Sequence, residues 1–85
     1  MSTTHPRRVA LRASLVAQVG TPVVVVDLPA DAVAQDVRQA VAAAHPEAAP
    51  LLRSALVVAG DRILGTGAAL PEKTEIALVP PVSGG

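Results

Sequence analysis

The last six residues hold the clearest chemical signal in the sequence. They read Pro80, Pro81, Val82, Ser83, Gly84 and Gly85. The two proline rings fix φ and remove N–H donors, so they end sheet pairing and direct the chain outward as an extended stalk. The glycines lack a Cβ, which lets a terminal carboxylate pass through a narrow channel. Two glycines alone are more typical of a frayed terminus, but after a strand and a proline pair they favour delivery into another protein's active site.

Other chemistry has little support in the sequence. The absence of cysteine excludes disulfides, thiolate metal sites, iron–sulfur clusters and cysteine nucleophiles. His5 lies in a polar leader and His45 at a helix end, so a shared metal site is not expected. Glu72 and Glu75 fall in a turn and the strand after it, where no acid–base pocket can be inferred. We therefore expect no metal, no bound cofactor and no catalysis by this chain alone.

Two glycine-rich segments resemble nucleotide-binding loops only superficially. Residues 60–65 have the glycine spacing of a phosphate loop, but Thr66 follows where that loop needs a lysine. Residues 65–67 lack the third glycine and the following helix of a dinucleotide fingerprint. Both segments are interpreted as turns.

Composition limits the compartment and the partners. The chain is neutral, with a pI of 6.7, and it has no aromatic residue to stack on bases, so no nucleic acid partner is expected. The one basic cluster, Arg7, Arg8 and Arg12, is interpreted as a solvated strand face. No apolar run approaches the roughly 20 residues that span a bilayer, and residues 1–12 cannot form a signal peptide. We expect a cytoplasmic protein that binds no membrane.

Hydrophobic periodicity predicts a hairpin followed by a helix. Residues 8–13 alternate between apolar and polar side chains, which predicts a first strand, and the β-branched run of residues 23–28 predicts a second. Residues 14–20 are expected to form the connection between these two strands. Residues 31–44 have apolar positions at helical spacing, with Asp31 as the expected N-cap. Pro46 ends this helix, and a short helical turn through residues 51–52 follows.

Three further strands complete the predicted sheet at residues 55–59, 62–64 and 74–79. The element order indicates an α+β domain with a mixed sheet across one helix. Order is expected over residues 8–79, after a disordered leader of residues 1–7 and before a tail of residues 80–85. The phase of the last strand places Val79 outward, which predicts an apolar docking patch with Ile63.

Residues 80–85 resemble the terminal signature of the MoaD family, the small subunits of molybdopterin synthase among the ubiquitin-like sulfur carriers. The similarity extends to residues 20–21, Leu70 and residues 75–77, and it covers residues 8–85. Arg12 and Val79 stand where the family often has aromatic residues. The resemblance implies a β-grasp, ubiquitin-like fold: a mixed sheet wrapped across one main helix, with a flexible Gly-Gly tail.

The resemblance also implies a function for the tail. A ubiquitin-activating-like adenylyltransferase would use ATP to adenylate the Gly85 carboxylate, and a sulfur donor enzyme would convert it to a thiocarboxylate. Residues 80–84 would enter the large subunit of molybdopterin synthase, where the sulfur is donated to a cyclic pterin precursor to form the dithiolene. Carriers for thiamine, cysteine or tRNA thiolation are alternatives, as is a ubiquitin-like binding or conjugation module that carries no sulfur.

Overall fold

The computed structural model describes residues 3–81, which form a mixed five-stranded sheet in the order β2-β1-β5-β3-β4. The strands are β1 (Thr4–Leu11), β2 (Val23–Pro29), β3 (Leu56–Ala59), β4 (Arg62–Leu64) and β5 (Ile76–Val79). The helices are α1 (Ser14–Val19), α2 (Ala34–Ala44) and α3 (Ala49–Arg53), with a 3-10 turn at Pro46–Ala48. Strands β1 and β5 are parallel, and the other pairs are antiparallel. The predicted α+β architecture is confirmed.

One face of the sheet packs into a single aliphatic core. Alternate strand residues such as Val9, Val57 and Leu78 are fully buried, as the period of two in a strand requires. Val37 and Val41, one helical turn apart on α2, belong to the same buried cluster. No polar or charged residue among residues 3–81 is buried. The core of the described residues is aliphatic throughout, because the chain has no aromatic residue.

Strand β1 begins earlier than predicted. The sequence suggested a disordered leader over residues 1–7, but residues 4–7 pair with residues 26–29 of β2. This part of the prediction is wrong because the side chains at positions 4–6 stay exposed while the backbone forms the ladder, and backbone pairing requires no buried apolar residue. Residues 1–2 lie outside the described part of the chain.

Residues 14–20 were predicted to be a connection, but they contain helix α1. Leu15 is fully buried and Val19, one turn later, packs against the core, so a single apolar stripe anchors the helix. Gly20 ends it in the left-handed conformation, with φ of 95°, and donates its N–H to the Val16 carbonyl at 2.7 Å. This helix has only six residues, so its periodicity was too short to recognise.

Helix α2 begins three residues after the predicted N-cap, Asp31. Val33 is the N-cap, and its N–H donates to the Asp36 carboxylate at 2.8 Å. The next N–H groups, of Ala34 and Gln35, donate to carbonyls in the loop of residues 66–68 at 2.9 and 3.0 Å. Because a distant loop satisfies the free N–H groups of the first turn, the helix needs no capping side chain at Asp31.

The second half of the chain follows the prediction closely. Helix α3 provides the predicted turn through residues 51–52, and β4 has its predicted bounds. Strand β3 begins one residue later than predicted, at Leu56, and β5 begins two residues later, at Ile76, and ends at Val79 as predicted.

The turn from β1 into α1 contains a strained backbone position. Ala13 has φ of 52° and ψ of −131°, a region that glycine occupies and that costs a residue with a Cβ about 1–2 kcal/mol. We expect Ala13→Gly to raise the free energy of unfolding by about 1 kcal/mol in urea titration. Ala17→Gly, at an exposed position within α1, should lower it by about 1 kcal/mol. Equal destabilisation by the two changes would contradict the strain.

Candidate functional site

The tail leaves the sheet from its central strand. Strand β5 lies between β1 and β3 and is hydrogen-bonded to both. The chain that follows therefore begins at a firmly held point. Pro80 is half-buried and Pro81 is exposed, so the described chain reaches the protein surface at the proline pair. The predicted site residues Val82, Ser83, Gly84 and Gly85 lie outside the described residues.

An apolar row crosses the face of the sheet opposite the core. Its members, paired in register across all five strands, are Val23, Ala10, Ala77, Val58 and Ile63. Leu56 and Val79 form a second pair next to this row, on the side where the tail leaves. We call the accessible half of this surface nearest the tail the docking face; its residues are Leu56, Val58, Ile63 and Val79.

The two predicted interface residues share the docking face but differ in exposure. Ile63 is 67% exposed, whereas Val79 is half-buried beside Leu56. An exposed isoleucine on an edge strand contributes little to the core and much to apolar surface, which favours a contact with another molecule. Use of this face as an interface stays a prediction, and Ile63 is its better probe because changing Val79 would also disturb packing.

Arg12 and Glu75 border the docking face with an ion pair. Their Nη2 and Oε1 atoms are 3.3 Å apart. Arg12 directly follows Leu11, which pairs with Leu78, and Glu75 directly precedes β5, so the two side chains approach each other along the outer face near Ala77. Ala77 shares the outward phase of Val79, but it is only 5% exposed. The ion pair above it explains that burial.

Arg7 has a structural role that the sequence analysis missed. The prediction of a solvated strand face fits Arg8, which is exposed, but Arg7 donates to the Pro71 carbonyl and, at 3.0 Å, to the Thr74 carbonyl. It thereby ties β1 to the turn before β5. The signal was present in the alternation, because Arg7 shares the inward phase of Val9 and Leu11.

Three further features of the described surface, over residues 3–81, lie away from the docking face or concern metal binding and membrane crossing. A cleft of about 290 Å³, lined by His5, Leu28 and Leu70 among others, lies at the end of β1 away from the tail. No group of three His, Asp or Glu side chains within residues 3–81 could hold a metal ion. No helix in the same range is long and apolar enough to cross a membrane.

Comparison with solved structures shows what the chain is similar to. SAMP1 from Haloferax volcanii is 29% identical with a TM-score of 0.76, and the match covers 95% of this chain and 100% of that one. A second structure of H. volcanii small archaeal modifier protein 1 is 28% identical, covers 91% and 98%, and has a TM-score of 0.74. No protein-family model and no curated protein sequence matches the chain.

A third neighbour shares the fold at lower identity. It is described as molybdopterin converting factor, subunit 1, from Pyrococcus furiosus, is 15% identical, covers 91% of this chain and 98% of that one, and has a TM-score of 0.75. Together with the strand order, these neighbours define the chain as a ubiquitin-like protein with the β-grasp fold. They confirm the resemblance to the MoaD type.

Proposed function

We propose that this chain is a sulfur carrier whose Gly85 carboxylate is converted to a thiocarboxylate. One observation carries the proposal: the sequence Pro-Pro-Val-Ser-Gly-Gly directly follows the central strand of a β-grasp sheet. The fold holds the start of the tail firmly, and the two prolines direct the chain away from the sheet. The terminal carboxylate is then the group that such a tail can present to an enzyme.

The chemistry requires activation by a partner, because a carboxylate is a poor acyl donor. A ubiquitin-activating-like adenylyltransferase joins the carboxylate to the AMP moiety of ATP, and pyrophosphate leaves. A sulfide equivalent from a sulfur donor enzyme then attacks the acyl carbon, and AMP leaves. The mixed anhydride divides one difficult substitution into two easier steps. Gly85 supplies the reacting atoms, and this chain binds no cofactor of its own.

The acceptor we propose is the large subunit of molybdopterin synthase. There the thiocarboxylate sulfur attacks a carbon of the cyclic pterin precursor and displaces an oxygen substituent, and water then cleaves the bond between that sulfur and the Gly85 acyl carbon, which returns the Gly85 carboxylate. Two such transfers build the dithiolene. Acid–base groups and the pterin pocket belong to the large subunit under this proposal. The molybdopterin converting factor subunit among the structural neighbours supports it, although that neighbour is similar in fold alone.

The length of the tail constrains how that partner docks. Four residues follow Pro81, and an extended chain spans at most about 3.6 Å per residue, so Gly85 reaches about 14 Å beyond the proline pair. The partner's active site must lie within that distance. The partner must therefore contact the surface around the end of β5, which includes Val79 and Leu56.

A second candidate function is attachment to other proteins without sulfur. The similarity to small archaeal modifier protein 1 favours it, at 29% identity over nearly the whole chain. In that case the Gly85 carboxyl would form an amide with an amine of a target protein. Both functions use an activated carboxyl, so the fate of that carboxyl distinguishes them.

Intact mass measurement tests the proposal directly. After incubation with the adenylyltransferase, ATP and a sulfur source, we expect the chain to gain the mass of sulfur for oxygen, located on its C-terminal peptide. Omission of ATP should prevent the gain, because no adenylate can form.

A chain lacking Gly84 and Gly85 is the matched control and should show no change in mass. If the full chain keeps its original mass while a known carrier reacts in the same mixture, the sulfur-carrier proposal is wrong. Amide-linked products without any thiocarboxylate would support the second candidate.

A further inference from the structure

Arg12 stands at the base of the tail in a fixed position. Its N–H donates to the Leu78 carbonyl at 3.1 Å, and its own carbonyl accepts the Leu15 N–H at 3.1 Å. The backbone of Arg12 is thus bonded both to β5, one residue before Val79, and to helix α1. The Arg12 side chain therefore starts beside the point from which the tail leaves, and its guanidinium reaches back along the docking face to Glu75.

Glu75 satisfies this guanidinium only in part. Their single contact is 3.3 Å long, whereas a strong charge-assisted hydrogen bond measures about 2.7–2.9 Å. The side chains of Arg12 and Glu75 are 57% and 71% exposed, so water solvates both charges. A guanidinium has five N–H donors, and this contact occupies one of them.

Docking would change the surroundings of Arg12. A partner active site within reach of the tail covers the surface beside Val79, and that contact removes water from the adjacent guanidinium. A desolvated charge is costly unless new acceptors replace the water. Glu75 offers one distant oxygen, so the remaining acceptors must come from the partner.

We infer that the partner that receives the tail presents an acidic side chain opposite Arg12, next to an apolar area that covers Leu56 and Val79. The inference rests on the proposed function, because delivery of the tail is what brings a partner to this surface. The apolar docking face supplies contact area. Arg12 gives specificity, because its charge disfavours binding to apolar surfaces that are basic or that offer no hydrogen-bond acceptor.

Binding of the purified large subunit of molybdopterin synthase at low and high salt tests this inference. Arg12→Met keeps the apolar stem and removes the charge, and we expect it to weaken binding at least about thirtyfold and to flatten the salt dependence. Arg8→Met makes the same change at an exposed position on the same face farther from the tail, and it should cost less than about fivefold.

Two further measurements complete the test. Glu75→Gln should leave the affinity unchanged or raise it, because Glu75 competes with the partner's acid for Arg12. A double-mutant cycle between Arg12→Met and each exposed acidic residue of the large subunit should show strong coupling at one of them.

Equal affinities of Arg12→Met and Arg8→Met, measured with a chain that does form the thiocarboxylate, would overturn this inference alone. A wild-type chain that forms no thiocarboxylate and does not bind the large subunit would overturn both the inference and the proposed function. Thermal unfolding of each variant verifies that the exposed substitutions leave the fold intact.

Discussion

A Gly84→Ala chain is expected to bind the large subunit of molybdopterin synthase as the wild type does, but to transfer sulfur at least about a hundredfold more slowly. The added Cβ lies one residue from the reacting group, where the partner channel must enclose the backbone closely. The two prolines have fixed φ and the strand before them is bonded on both sides, so neither can shift to absorb the change. A misplacement of about 1 Å at the reacting atoms costs about a hundredfold in rate.

Single-turnover transfer from a chain already converted to the thiocarboxylate measures this effect apart from activation. Ser83→Ala is the matched control, because it removes a hydroxyl and keeps the Cβ already present at that position. Its transfer rate should stay near that of the wild type. Near-normal transfer by Gly84→Ala would show that the channel tolerates a side chain, and the reason given for the double glycine would be wrong.

The sequence predicted those elements whose side chains alternate or recur over a long enough stretch. Helix α2 was recognised because eleven residues carry a regular apolar face, and β2 because four valines run together. Helix α1 was missed because six residues contain little more than one repeat. Its stability comes from burying Leu15 in a core that the local sequence does not describe.

Interactions between distant segments also limited how much of the fold could be predicted from the sequence. Asp31 has the right residue type for an N-cap, but the loop of residues 66–68 binds the free N–H groups of α2 and moves its start to Ala34. The leader contains no apolar pattern, yet Thr4 is paired because β2 extends to Pro29. Each case depends on a hydrogen-bonding partner more than 20 residues away, which periodicity and capping preferences do not include.

For the candidate site too, local features could be predicted from the sequence and contacts between distant residues could not. The tail was predicted to be the site from the order of six adjacent residues, and this stays a prediction because residues 82–85 lie outside the described part of the chain. The phase of β5 correctly placed Val79 on the outer face. The Arg12–Glu75 pair was missed because it joins residues 63 positions apart through the parallel pairing of β1 with β5, which no local pattern reveals.

Ile63→Asp is expected to weaken binding of the large subunit at least about a hundredfold while the chain stays folded. Ile63 is 67% exposed, so an aspartate there is solvated in the free protein and costs little stability. In the complex the same carboxylate would be buried against an apolar surface without a partner, which costs about 3–5 kcal/mol. The loss should therefore appear in affinity, with the midpoint of urea unfolding nearly unchanged.

Val25→Asp provides the matched control for this charge. Val25 is 61% exposed on the same side of the sheet, but it lies on edge strand β2, opposite Arg8 and away from the tail. If the partner contacts the docking face, Val25→Asp should change the affinity by less than about threefold, the range of an exposed substitution outside an interface. An equal loss of affinity at both positions would show that the interface extends across the whole sheet. Unchanged affinity for Ile63→Asp would show that the partner does not bind the docking face when the tail enters its active site.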